Sequence, residues 1–135
     1  MIGVLLITHG NYGADLLASA SHVLGRALEH TGHLSVSVKD DPEAMFSEAR
    51  KLLKSIDDGT GVLVMTDMYG ATPCNIASRL IELGNVEAVS GLSLPMLVRS
   101  LAYRDAPLTK VRDKAITGGT EGIIYINADP CYAKR

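Results

Sequence analysis

The 135-residue chain has no tryptophan, one phenylalanine (Phe46) and five tyrosines, so aromatic residues make up only 4% of it. Its core must therefore be filled by Leu, Ile, Val, Ala and Met. Cysteine is almost as scarce. Cys74 and Cys131 lie far apart and form neither a CxxC nor a zinc-ligand pattern, which excludes a disulfide scaffold and favours free thiols. An excess of positive charge is also missing. Thirteen Lys and Arg face fifteen Asp and Glu, a net charge of -2, so no basic stripe exists for nucleic acid. The apolar run Ile2–Ile7 is too short for a signal peptide or a membrane span, and the expected location is the cytoplasm. Equally absent are a GxGxxG fingerprint, a GxSxG elbow and an HExxH pair. The segment Gly118–Gly122 lacks the lysine of a phosphate loop, and His30 and His33 have no third ligand beside them. Nucleotide-dependent kinases, serine hydrolases and zinc proteases lose their support, and neither metal nor cofactor is expected.

What is present is 47% hydrophobic and 21% charged residues, which excludes disorder and suits one domain over residues 1–135. Short aliphatic runs alternate with longer helical patterns, as in βα repeats. Ile2–Ile7 reads as a doubly covered strand, followed by a helix over about Ala14 to Glu29. Leu34–Val38 is a second strand. Asp41-Pro42-Glu43 then supplies an N-cap, an N1 proline and a first-turn acid for a helix running to Ile56. Gly61–Thr66 is the third strand, and Thr72-Pro73 opens a helix to Leu83. Val86–Val89 is the fourth, with helices following over Met96–Tyr103 and Leu108–Thr117, the latter stopped by Gly118-Gly119. Ile123–Asn127 reads as a last strand. The pattern predicts an open, doubly wound α/β domain with strand order 2-1-3-4. Its ligand crevice then lies at the carboxyl ends of the first and third strands.

Those two ends carry the chemistry. His9 lies two residues past the first apolar run, and Asp67 occupies the matching place after the third. A carboxylate that accepts from one imidazole nitrogen fixes the tautomer and leaves the other nitrogen nucleophilic. Gly10 leaves the flank of His9 open. Gly70, Ala71 and Thr72 bring backbone N–H groups and a helix N-terminus beside it, a natural anion site to which Pro73 contributes no N–H. The Thr72 hydroxyl has two uses open to it, capping the helix or donating to a bound phosphoryl oxygen.

Taken together, Thr8-His9-Gly10, Asp67-Met68-Tyr69-Gly70-Ala71-Thr72-Pro73-Cys74-Asn75 and Gly91-Leu92-Ser93-Leu94-Pro95-Met96-Leu97 resemble the mannose-family enzyme IIA of the bacterial sugar phosphotransferase system (PTS). The resemblance implies that His9 accepts a phosphoryl group from the phosphocarrier HPr and passes it to an enzyme IIB. It implies that Asp67 orients His9, and that Thr72 contacts the phosphoryl group. It further implies a homodimer in which Ile123–Asn127 adds antiparallel to a sheet edge by exchange between subunits. Val23, Leu24, Pro95, Met96 and Leu97 become candidates for an apolar collar that docks partners. Membrane contact would be indirect, through IIC and IID subunits. Two departures stand out: Met68 replaces a frequent small hydroxyl residue, and no linker to a fused IIB domain follows. Alternatives are a regulatory phosphoprotein with the same site, the phosphoryl-donor subunit of a dihydroxyacetone kinase, and a flavodoxin-like ligand-binding module. Serine usually follows the histidine in the kinase subunit, so Gly10 favours the transporter branch.

Overall fold

The computed structural model describes residues 1–133. Four strands, β1 (Gly3–His9), β2 (Thr31–Val36), β3 (Val62–Thr66) and β4 (Val86–Ser90), form one parallel sheet in the order β2-β1-β3-β4. This is the expected order. Five helices cover it: α1 (Tyr12–Leu24), α2 (Pro42–Ile56), α3 (Thr72–Ile81), α4 (Leu94–Ala102) and α5 (Leu108–Glu121). No helix among the described residues is long and apolar enough to cross a membrane.

Strand alternation divides the core in two. Val4, Leu6, Leu63 and Met65 face α1, α4 and α5, where they meet Ala20, Leu97, Leu101 and Val111. Leu5, Ile7, Val62 and Val64 face α2 and α3, against Ala49, Leu53, Ile76 and Leu80. Both central strands are thus buried on both sides, which is why β1 and β3 read as unbroken aliphatic runs. Each fully buried Leu or Ile contributes about 1.5–3 kcal/mol, so aliphatic residues suffice where aromatics are lacking.

Asp41 caps α2 as expected, its carboxylate accepting from the Ala44 N–H at 3.2 Å. Ser93 does the same for α4 through the Met96 N–H. The chain departs from expectation at its end. Instead of stopping at Gly118-Gly119, α5 continues to Glu121. A Cβ on Gly118 would lie 2.9 Å from Arg99 Cβ and 3.0 Å from the Pro95 carbonyl oxygen. Glycine is there because α4 and α5 approach closely, and the packing gained offsets its poor helix propensity of about 1 kcal/mol. The strand expected at Ile123–Asn127 is not formed within this chain. Residues 123–125 are irregular, and Ile126–Ala128 is a single 3₁₀ turn. A strand needs a neighbour, and β4, the last strand of the sheet, gains no second one among the described residues. A short helix, α6 (Pro130–Ala133), ends the described residues.

Candidate functional site

His9 is the last residue of β1, and Asp67 directly follows β3. The β1–β3 register aligns Ile7 with Thr66, so the two chain ends emerge side by side. Asp67 Oδ2 accepts twice from the same residue, from the His9 backbone N–H at 2.9 Å and from ring Nδ1 at 2.8 Å. Its other oxygen, Oδ1, accepts from the Met68 N–H at 2.9 Å. Burial pushes the Asp67 carboxyl pKa up. The backbone N–H of His9, the His9 ring and the Met68 N–H outweigh it, and the group ends below the usual carboxylate value. An ionised carboxylate has no proton to give, so the shared proton belongs to Nδ1. Nε2 of the neutral ring then keeps its lone pair and is the nucleophilic nitrogen. The Asp67 side chain is only 12% exposed whereas that of His9 is 43% exposed. One partner is anchored and the other presented.

The depressed pKa carries a sign. Stability contributed by Asp67 is fully present above its unfolded-state value, about 3.9, and is lost as pH falls through the lower folded value. Denaturant unfolding followed from about pH 6 down to pH 3 is therefore expected to show a shallower acid loss in Asp67→Asn than in the parent. Parallel curves would contradict the assignment.

Two helices begin at this end of the sheet. The turn into α1 places Gly10 at φ +52°, with nothing within 4 Å of where a Cβ would stand. That open flank beside His9 matches expectation. Thr8 Oγ1, buried, accepts from the Gly13 N–H at 2.9 Å and fixes the start of α1. The Tyr12 hydroxyl donates to the Leu92 carbonyl at 2.8 Å, tying α1 to the β4–α4 loop. Sequence reasoning assigned neither role, although a threonine just before a strand-end histidine was the available signal.

On the other side, the Asp67 loop runs directly into α3. Ala71, not Thr72, is the N-cap, and Thr72 and Pro73 form the first helical positions. The Thr72 hydroxyl makes no capping bond, which removes one of its two expected uses. The first N–H groups of a helix have no helical acceptor, and Pro73 supplies none. Thr72 and Cys74 are thus the available donors of the first turn, with Gly70 and Ala71 just before them. Among the described residues no group of three or more His, Cys, Asp or Glu could hold a metal ion.

Of the five docking candidates, Met96 and Leu97 are corrected. They are 4% and 0% exposed, belong to the core between α1, α4 and α5, and can meet no partner. Leu24 is half-buried against the same core, whereas Val23 and Pro95 are on the surface. Sequence reasoning missed an exposed apolar group at the carboxyl ends of the strands: Tyr12 at the start of α1, and Val38, Met68 and Tyr69 in loops. The signal for the last three was large apolar residues in loops with no helix to bury them.

Fold and site together define a doubly wound α/β protein with a carboxylate-held histidine at its topological switch point. The family model for the PTS system fructose IIA component, EIIA-man, matches residues 3–116. The mannose-specific EIIAB component of Escherichia coli strain K12 is 30% identical over 132 residues, 96% of this chain. The chain spans 41% of the length of that relative. The fructose-specific EIIA component of Bacillus subtilis is 27% identical over 108 residues, 78% of this chain and 72% of its own. Among solved structures, component EIIA from Streptococcus agalactiae superposes with a TM-score of 0.84 at 26% identity, covering 96% of this chain and 100% of that one. The mannose/sorbose specific IIA subunit from Enterococcus faecalis shares the fold, with a TM-score of 0.84 at 21% identity over 95% and 96% of the two chains. The chain belongs to the EIIA-man family of sugar phosphotransferase-system IIA components.

Proposed function

We propose that His9 is the phosphoryl acceptor of this chain, taking the group from phosphorylated HPr and passing it to an enzyme IIB. The observation that carries the reading is the pair of bonds from His9 to Asp67 Oδ2, which leaves Nε2 as the basic nitrogen. In the transfer, a bond forms between Nε2 and phosphorus while the donor's P–N bond breaks, its electron pair returning to the donor ring. The proton on Nδ1 stays where it is, and Asp67 stabilises the charge that grows on the ring. The N–H groups of Gly70, Ala71 and Thr72, the Thr72 hydroxyl and the N-terminus of α3 receive the phosphoryl oxygens. Such transfer is mostly positioning and charge stabilisation, and none of these groups has to be recruited from elsewhere. Incubation with phosphorylated HPr tests the reading: acid-labile phosphate is expected on His9.

Partners would dock on the loops around His9. Met68 and Tyr69, 62% and 85% exposed, flank Asp67, and Tyr12 and Val38 extend the apolar ring. The loops 9–14, 68–75 and 91–96 contain no Asp, Glu, Lys or Arg, so nothing in them repels a dianionic phosphoryl group on an incoming partner. Met68→Asp with Tyr69→Asp is expected to slow transfer from HPr about tenfold or more, since interface hot spots are worth about 2 kcal/mol. Unchanged rates would place the docking surface elsewhere.

A homodimer is the assembly proposed for this chain, with the segment from Ile123 of one copy paired along β4 of the other. Among the described residues nothing pairs with the outer edge of β4, and Ile123, Ile124, Tyr125 and Ile126 are all exposed. Exposed apolar chain and an open sheet edge both invite pairing. Sedimentation equilibrium is expected to give a dimer for the parent and a shift to monomer for Ile124→Asp. A parent that sediments as a monomer would exclude the exchange.

A further inference from the structure

Two cavities touch Arg104 at the amino ends of β1 and β2, the end of the sheet opposite His9. In the strand order, β4 and the pairing proposed along it lie two places from β1. One cavity, of about 210 Å³, is lined by Met1, Arg26, Ala27, Leu28, Glu29 and Arg104. Arg104 is 5% exposed and has no carboxylate partner among the described residues. Its Nε donates to the Ile2 carbonyl and its Nη2 to the His30 carbonyl, which brings the end of the guanidinium to the segment 26–30. Nη1 has no acceptor among the described residues. The one buried side-chain polar atom left unpaired among them is Thr66 Oγ1, so Nη1 is not sealed in but borders open space. A cation taken out of water is costly unless an anion pairs with it. Arg26 adds a second unpaired cation. Ser21 holds its backbone twice, accepting from the Arg26 N–H at 3.2 Å and donating its hydroxyl to the Arg26 carbonyl at 2.5 Å. The Arg26 guanidinium forms no ion pair among the described residues, not even with Glu29 three positions on. Burial first, and Arg26 second, depress the Arg104 pKa, with Asp105, Asp58 and Glu29 acting the other way. Of these carboxylates, Asp58 is already held by the Met1 amino group at 2.7 Å.

We propose that this cavity binds a small oxyanion, the phosphate or carboxylate group of a ligand, between Arg26 and Arg104. Nη1 of Arg104 donates to one oxygen from the cavity floor, and the exposed Arg26 guanidinium meets the others from the rim. The anion thus pairs the buried charge and offsets the repulsion between the two arginines. The volume lies below the roughly 300–1,000 Å³ of drug-sized sites, so the ligand is little larger than its oxyanion, with Ala27 and Leu28 beside its carbon atoms. Glu29, exposed on the same rim, works against binding and lowers the affinity. The cavity on the other flank of Arg104 is lined by Asp105 and has no second Arg or Lys, so the anion is assigned to the first.

The test uses the unphosphorylated full chain, so its outcome is independent of whether His9 accepts phosphate. Sodium phosphate and sodium acetate are titrated separately into ¹⁵N-labelled protein at constant ionic strength, with chloride as the balancing anion. For at least one of them, saturable amide shifts are expected at residues 26–30 and 104–106, independently of any at residues 70–74 beside His9. Saturation by phosphate alone, by acetate alone or by both tells which oxyanion the cavity takes. Arg26→Gln leaves the bonds from Arg104 to the two carbonyls in place and is expected to weaken binding about two- to fivefold, the effect of one exposed charge. Glu29→Gln removes the opposing charge and is expected to strengthen it by about the same factor. Unchanged affinity in both variants would overturn the site, as would weaker binding in Glu29→Gln. Shifts confined to residues 70–74, or linear and scattered over the surface for both anions, would also overturn it. So would binding that survives unchanged in Arg104→Met.

Discussion

Incubated with phosphorylated HPr, the His9→Ala variant is expected to take up no acid-labile phosphate, while Asp67→Asn is labelled about ten- to a hundredfold more slowly than the parent. The two magnitudes differ because the two residues do different things. In the proposed transfer His9 supplies the atom that bonds to phosphorus, and no other histidine shares its position. His22 lies in the last turn of α1, His30 precedes β2 and His33 lies within it. Asp67 acts through His9. Its Oδ2 makes a charge-assisted bond to Nδ1 at 2.8 Å, and such bonds are worth about 1.5–3 kcal/mol, or about ten- to a hundredfold in rate. Asparagine keeps the shape and loses the charge, so the ring is still held but no longer confined to one tautomer. Nitrogen chemical shifts of the ring report this separately from rate, and Asp67→Asn is expected to move them toward a mixed tautomer population. Labelling that persists in His9→Ala would remove the acceptor assignment outright.

The largest effect on stability is expected far from the site, at Arg104. This residue is 5% exposed, yet no carboxylate lies within ion-pairing distance of it among the described residues. Its Nε donates to the Ile2 carbonyl at 2.9 Å and an Nη donates to the His30 carbonyl at 2.8 Å. Its own carbonyl accepts from the Ile2 N–H at 2.9 Å. One side chain thus joins the approach to β1, the approach to β2 and the α4–α5 turn. Burial depresses the guanidinium pKa and nearby Arg26 adds to this, with Asp105, Asp58 and Glu29 acting the other way. Methionine in its place keeps most of the volume but leaves the Ile2 carbonyl without a donor, while the His30 carbonyl keeps the Val4 N–H at 3.0 Å. An orphaned buried acceptor costs about 1–3 kcal/mol, so Arg104→Met is expected to cost about 1–3 kcal/mol of a domain stability of about 5–15 kcal/mol. Urea unfolding measures the loss, and a change below about 1 kcal/mol would show that water replaces the guanidinium without penalty. Phosphoryl acceptance per folded molecule is expected to stay unchanged, because β1 separates Arg104 from His9 by about 20 Å.

How much of this was legible follows from which signals are local. The apolar runs of β1 and β3 marked strands buried on both faces, and the polar residues just beyond them marked the switch point of the 2-1-3-4 sheet. His9 and Asp67 could be paired for that reason, although 58 residues separate them. The misreadings arose where tertiary contact overrides local preference. Gly118 and Gly119 read as a helix stop because glycine is a poor helix former, but they are the smooth surface on which α4 packs. Ile123–Asn127 has strand composition without a strand partner in its own chain. Met96 and Leu97 entered the surface collar through the family resemblance and not through their own pattern. The helix that Ser93 caps turns residues 96, 97, 100 and 101 inward together. Thr72 missed the N-cap by one position, a distance sequence patterns seldom resolve.

The double acceptance at Asp67 Oδ2 has a further consequence, for quality control during folding. The His9 N–H and its ring are held by one oxygen from a strand that pairs with β1 only after more than fifty intervening residues have been threaded. If β3 slipped by a single residue against β1, Asp67 would face the opposite side of the sheet and the imidazole would lose its orientation. The reactive nitrogen therefore exists as such only in correctly paired molecules. A misregistered chain would be silent as well as unstable, and the rate of labelling at His9 would count the properly threaded fraction of a preparation.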